Sequence, residues 1–292
     1  MEVDIPIAAV GGEEWRAQAI PEKLEKASGG AHRRANRLMR MAYLGASDCL
    51  SGQATPPESN TGIVLASSHG NIAETLGMLQ GIREKDQPPM PLDFINVSTN
   101  MAGFHVMRTL GLQGGPSLMI SRGPRSFSAA LEIAGLEPER SWLVGIVEEC
   151  AWPLDAHRRR LRIAADEPLA EASYWLWLRP NARHPIGRLI YQGTLPDGPA
   201  VEAAVRRLAK ATDLAPWVSY GASEHGDGAL DLPSYLGVWE PRGAGFHCAR
   251  DGRQICGFLQ RRQAGLLLHL DRDPISGWWT LTGLRVDHAT SP

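Results

Sequence analysis

Three short apolar runs constrain the fold of this chain more than any other feature: GIVLASS at 62–68, PSLMIS at 116–121 and SWLVGIVEE at 141–149. None alternates polar with apolar residues, which is the signature of strands covered on both faces. Helical patterns separate them. SSHGNIAETLGMLQGIREK follows the first run and PRSFSAALEIAGLE follows the second. Upstream, Leu38, Met41, Ala42, Gly45, Ala46 and Cys49 fall at i, i+3, i+4, i+7, i+8 and i+11, one small apolar face of a helix. Another helix is expected to start near Ser98, Thr99 and Asn100, whose side chains can cap free amides. Strands alternating with helices predict an α/β fold with helices on both faces of the sheet.

The second half keeps this rhythm less strictly. ASYWLWLRP and GRLIYQGTLP read as a pair of strands, GPAVEAAVRRLAKAT as an amphipathic helix, and ALDLPSYLGVWEPRGAG as a helix ended by its Pro and Gly. AGLLLHLDRD and GWWTLTGLRVD close the chain as a hairpin, and the first residues, MEVDIPIAAVGGEEW, read as an irregular start. No low-complexity linker divides the 292 residues. The expectation is one compact unit of two related lobes, 1–155 and 156–292.

The formal net charge of −2 gives no electrostatic argument for a nucleic-acid partner. No apolar run approaches the roughly 20 residues needed to span a bilayer. Cys49, Cys150, Cys248 and Cys256 are scattered through a chain without a secretory signal at its start, so reduced thiols in a cytoplasmic protein are expected. Cys248 and Cys256 lack the spacing and the second pair of a zinc site. No Walker loop, dinucleotide fingerprint or metal-binding histidine helix is present. No metal and no cofactor are expected.

The stretch LGLQGGPSLMISRGPRSFSAALEIA, 110–134, has the form of an approach to a catalytic nucleophile. A buried strand runs into a tight turn and a small-residue helix leaves it, placing the turn at the positive end of the helix dipole. Here the turn is Gly123-Pro124-Arg125-Ser126, and its apex holds no nucleophile. Proline suits a first helical turn because it has no amide hydrogen to leave unsatisfied. Ser126 reads first as a capping residue.

The order of elements from 33 to 149, and above all NMAGFHVMRTLGLQGGP at 100–116, resembles the N-terminal half of the β-ketoacyl synthases, condensing enzymes with the thiolase fold. DEPLAEASYWLWL and GDGALDLPSYLGVW continue the likeness more faintly. The resemblance implies a thiolase-like layered αβαβα fold with two related lobes and a reduced C-terminal lobe. It also implies a cysteine at the turn, where counting from Gly115 and Pro116 reaches Pro124. Two histidines would complete a condensing site. SEHGDGALD carries Gly226 and Asp227 in place of Gly-His, with His225 out of register, and the Asn-x-Phe-Gly-Gly-x-Asn loop is absent from RGAGFHCARDGRQICGFL.

A scaffold without that set resembles the non-catalytic chain length factor subunits of type II polyketide synthases and the reduced ketosynthase-like partners of aryl polyene synthases. The resemblance then implies an active ketosynthase as partner, an acyl carrier protein as visitor, and a dimer interface or tunnel wall near Asn100, Met101, Phe104 and His105. The arginine run containing Arg158, Arg159 and Arg160 is a candidate docking surface for the carrier's acidic helix. The alternative is a thiolase-fold acyltransferase or hydrolase with a relocated nucleophile, for which Ser126, His69 and Cys248 are the candidates. His69 reads first as a turn histidine. His247 and Cys248, read as neighbours on a strand, would point to opposite faces.

Overall fold

The computed structural model describes residues 1–17, 35–123, 125–221, 230–273 and 275–287. The first half contributes β1 (Glu2–Arg16), α1 (Arg37–Leu50), β2 (Gly62–Ala66), α2 (Ile72–Lys85), α3 (Pro91–Val97), α4 (Asn100–Leu110), β3 (Ser117–Ile120), α5 (Ser126–Gly135), β4 (Trp142–Glu148), α6 (Leu154–Leu161) and β5 (Ala170–Leu178). The second half contributes β6 (Gly187–Leu195), α7 (Gly198–Lys210), β7 (Pro216–Tyr220), β8 (Gly237–Val238), α8 (Arg250–Gln260), β9 (Gly265–Arg272) and β10 (Trp279–Val286).

The strands form one sheet in the order β3-β2-β4-β5-β1-β6-β10-β9-β7-β8. Outward from the β1–β6 pair, each half repeats the same order, since β6 stands to β10, β9, β7 and β8 as β1 stands to β5, β4, β2 and β3. The strand directions repeat as well. β2, β3 and β4 are parallel and β5 runs against both β4 and β1; β7, β8 and β9 are parallel and β10 runs against both β9 and β6. By this topology α5 and α8 are equivalent, each linking the third strand of its half to the fourth.

Alternation along the strands builds the layers. In β2, Ile63 and Leu65 face α1 and α4, while Val64 and Ala66 face α5. α5 touches strands of both halves, and so does α8, which makes these two helices the central layer. α7 covers the outer face of the second half through Val201, Val205 and Leu208. The result is the layered αβαβα arrangement, with a smaller set of outer helices in the second half.

The structure corrects five local expectations. The run 116–121 is not covered on both faces, because β3 is an edge strand with Ser117 and Leu118 exposed. Residues 2–16 are a strand that lies between β5 and β6, so those two do not pair with each other. The segment 229–245 forms no helix in its described part, where β8 is the one regular element; Pro233 and Pro241 interrupt the backbone ladder a helix would need. Thr99 stands at the start of α4 without a side-chain capping bond. His247 and Cys248 lie in the turn that enters α8, not on a strand.

Candidate functional site at the junction of the lobes

α5 begins at the junction of the two halves. Arg125 precedes its first residue and is 4 % exposed. Its guanidinium reaches across to the second half, bonding Asp273 at 2.8 Å and the Thr280 hydroxyl. Ser126 is fully buried and spent on the turn itself, donating to the Gly123 carbonyl at 2.7 Å and accepting from the Arg122 amide at 2.9 Å. It closes the turn ahead of the helix instead of capping the helix's own amides, as the sequence suggests, and it is not poised to attack. The apex residue Pro124 and the segment containing His225, Gly226 and Asp227 lie outside the described residues.

The first amides of a helix have no partner within the helix. For Phe127, the second residue of α5, that partner is the Asp251 carboxyl on the second residue of α8, at 3.1 Å. The other oxygen of Asp251 accepts from the Gly252 amide at 3.0 Å. Burial, then the neighbouring Asp271, push the Asp251 carboxyl well above the usual carboxylate range. The two equivalent helices therefore meet start to start through one side chain.

Beside them runs a buried polar chain that the sequence reading missed. Ser128 donates to Asp271 at 2.5 Å, Asp271 faces His269 Nε2 at 3.1 Å, and His269 Nδ1 meets Ser219 at 2.9 Å. His269 and Asp271 are neighbours on one face of β9, a period-two signal present in LLLHLD. The set has the residue types of a hydrolytic triad. Ser219, His269 and Asp271 have no exposed surface, however, so this chain is a core network that couples α5 to β7 and β9.

The remaining nucleophile candidates are no better placed. His69, Cys150, His157 and Cys248 line one cavity of about 10 Å³, room for at most one water and not for a substrate. His69 Nδ1 lies 3.6 Å from Glu148. Burial pushes the Cys248 thiol far up and that of Cys150 up to about 12, so neither is a thiolate at neutral pH. His247 borders the same cavity, but its Nε2 is bonded to Glu14 and Arg253. Burial holds His157 down at about 4, so its ring is neutral. Among the described residues no group of three His, Cys, Asp or Glu side chains is placed to hold a metal ion.

A second region is open where the first is shut. α2 and α3 bury none of their side chains. Leu79, Ile82, Leu92, Phe94 and Ile95 are exposed on them, as are Phe104 on α4 and Leu118 on β3. A groove of about 660 Å³ runs between α2 and α3, past Gly77, Gly81, Met78 and Met90. β3 is the outermost strand of its half, with a free backbone edge among the described residues. Of the expected interface residues, Asn100 and Phe104 are exposed, His105 is half-buried, and Met101 packs partly against the α1 core. On α6, Arg158 is turned back onto the Ala164 and Glu167 carbonyls and Arg160 lies 3.2 Å from His157 Nδ1, while Arg159 is exposed.

Comparison with known proteins places this geometry in a fold. No protein-family model matches the chain, and no curated protein matches it by sequence. Solved structures do match. The ishigamide ketosynthase/chain length factor superposes with a TM-score of 0.75 at 18% identity, covering 98% of this chain and 100% of that one. AntDE:AntF, a type II polyketide synthase acyl-carrier protein in complex with its ketosynthase bound to the hexaketide, gives 0.71 at 12% identity with 98% and 100% covered. A β-ketoacyl synthase from Burkholderia phymatum gives 0.66 at 12% identity, also with 98% and 100% covered.

Proposed function

The chain has the thiolase-like fold of the ketosynthases, and from that premise we propose that it is a non-catalytic, chain-length-factor-like subunit. In this reading it pairs with an active β-ketoacyl synthase that carries the cysteine and histidines, and its side chains bound the tunnel in which a carrier-held acyl chain grows. The growing chain is of polyketide, aryl polyene or fatty-acid type, and the setting is cytoplasmic. Residues 1–155 supply the partner face and 156–292 the reduced lobe. No described helix is long and apolar enough to cross a membrane.

The observation that carries this reading is the contrast between a closed junction and an open apolar face. Exposed apolar side chains gathered on α2, α3, α4 and the free edge of β3 are unfavourable in water and favour a protein partner. An edge strand with a free ladder is best matched by another edge strand. Asn100, Met101, Phe104 and His105 then form the wall between the subunits, where bulk limits chain length by exclusion alone. Exposed Arg159 steers the carrier protein.

Co-expression with a cysteine-bearing ketosynthase tests it. The two chains are expected to elute together on size exclusion, and Phe104→Ala is expected to lengthen the product distribution. A chain that stays monomeric beside the ketosynthase, with product lengths unchanged by its presence, would overturn the reading.

A further inference from the structure

The Asp251 contact does more than satisfy one amide. At a helix start, free amides and the positive end of the dipole form a seat for negative charge, and a thiol placed there ionises readily. In this chain the amide is already taken, by a carboxyl that burial favours in its neutral form. We propose that Asp251 is an intramolecular occupant of the anion seat at the start of α5, and that this contact, beyond the missing thiol, shuts the turn to acyl chemistry. The proposal deepens the non-catalytic reading of the junction and rests on it.

Four observations carry it. The carboxyl comes from the helix equivalent to α5 in the other half, so it enters along the axis that joins the two helix starts. It has no exposed surface, so no solvent competes for the amide. Its second oxygen is tied to Gly252, which fixes the direction of the first. Above it, Arg125 is bound to Asp273 and Thr280 of the second half, so the residue at the helix start is held across the junction as well. Two other carboxyls act on that of Asp251: Asp271, held by Ser128 and His269, and more weakly Glu148. An arriving oxyanion would have to displace one buried carboxyl and approach another.

A thiol installed at position 124, next to Arg125 in the sequence, is the probe of the seat. Iodoacetamide alkylates a thiolate with loss of iodide, so the rate against pH reports thiol ionisation. In Pro124→Cys the new thiol is expected to react as an ordinary or suppressed one. Adding Asp251→Ala is expected to raise its rate at pH 7 at least tenfold and to move the midpoint of the pH profile down. Adding Asp251→Asn, which keeps an oxygen facing Phe127, is expected to leave the rate within threefold of Pro124→Cys alone.

Equal rates with and without Asp251→Ala, or a thiol already ionised at pH 6 in Pro124→Cys, would overturn the proposal. Amide hydrogen exchange at Phe127 provides a reading without the cysteine. Protection is expected to fall at least tenfold in Asp251→Ala, and unchanged protection would count equally against it. Neither measurement uses a partner, so failure here is separate from failure of the ketosynthase pairing.

Discussion

The junction around α5 and the face made by α2, α3, α4 and β3 distribute polarity in opposite ways. At the junction, Arg125, Ser126, Ser128, Asp251, His269 and Asp271 are buried, and each is hydrogen-bonded within the protein. On the face, leucine, isoleucine and phenylalanine side chains stand in solvent. A site that handles substrates needs reachable polar groups, and a stable free surface needs hidden apolar ones. This molecule has neither arrangement. The difference teaches that polar groups serve the interior at the junction, while on the face apolar ones are left to the surface.

Substitutions at the two regions therefore carry unequal consequences. The largest effect is expected from Gly221→Ala. A Cβ there would sit 1.4 Å from Asp271 Oδ1, and Asp271 cannot retreat without releasing Ser128 and His269. Chemical denaturation is expected to record a loss of about 3 kcal/mol. Next comes the face. Phe104→Asp with Leu118→Asp is expected to leave stability within about 0.5 kcal/mol while weakening ketosynthase pairing by about 2 kcal/mol, roughly thirtyfold, by titration calorimetry.

A smaller effect follows from Glu149, buried beside the start of α2, where it accepts from the Ala73 amide. Burial pushes it from its ordinary value of 4.5 up to about 8. The folded chain thus holds a proton that the unfolded chain releases, and stability falls as pH rises through that window, by up to about 1.4 kcal/mol per pH unit. His157, held at about 4, acts in the opposite sense below its ordinary value of 6.5. Between pH 6.5 and 8 His157 is silent while Glu149 and the buried Asp251 both act in the first sense. The share of Glu149 is therefore the difference between the chain and Glu149→Gln, in which the slope of the denaturation midpoint is expected to be flatter. The smallest change is expected from Arg159→Glu. It should weaken carrier-protein binding less than fivefold, with the difference vanishing in high salt.

Much of this was legible in the sequence. All six residues of the apolar spacing from Leu38 to Cys49 are on the buried face of α1, which also holds Met39. The unbroken runs at 62–68 and 141–149 predict strands buried on both sides, as β2 and β4 are. Elsewhere tertiary contact overrode local punctuation. Pro6 and the Gly11-Gly12 pair argue against a strand, yet both belong to β1. At Gly11 a Cβ would meet the Cys49 backbone amide at 2.3 Å, and at Gly12, with φ +110°, it would meet the Ser173 carbonyl at 2.0 Å, so the glycines serve the close approach of α1 and of β5. α8 was hidden by its composition, because Asp251, Gly252 and Gln254 are on its buried side. The empty turn was readable from 123–126, but its occupant was not, since Phe127 and Asp251 are 124 residues apart.

The most direct measurement is the intact mass of this chain after incubation with acyl-loaded carrier protein, alone and with a co-purified, cysteine-bearing ketosynthase. A closed junction on a partnering subunit predicts no adduct on this chain in either case and an acyl adduct on the ketosynthase. A stable acyl adduct on this chain, removed by one substitution at Ser126, Ser219 or Cys248, would contradict it.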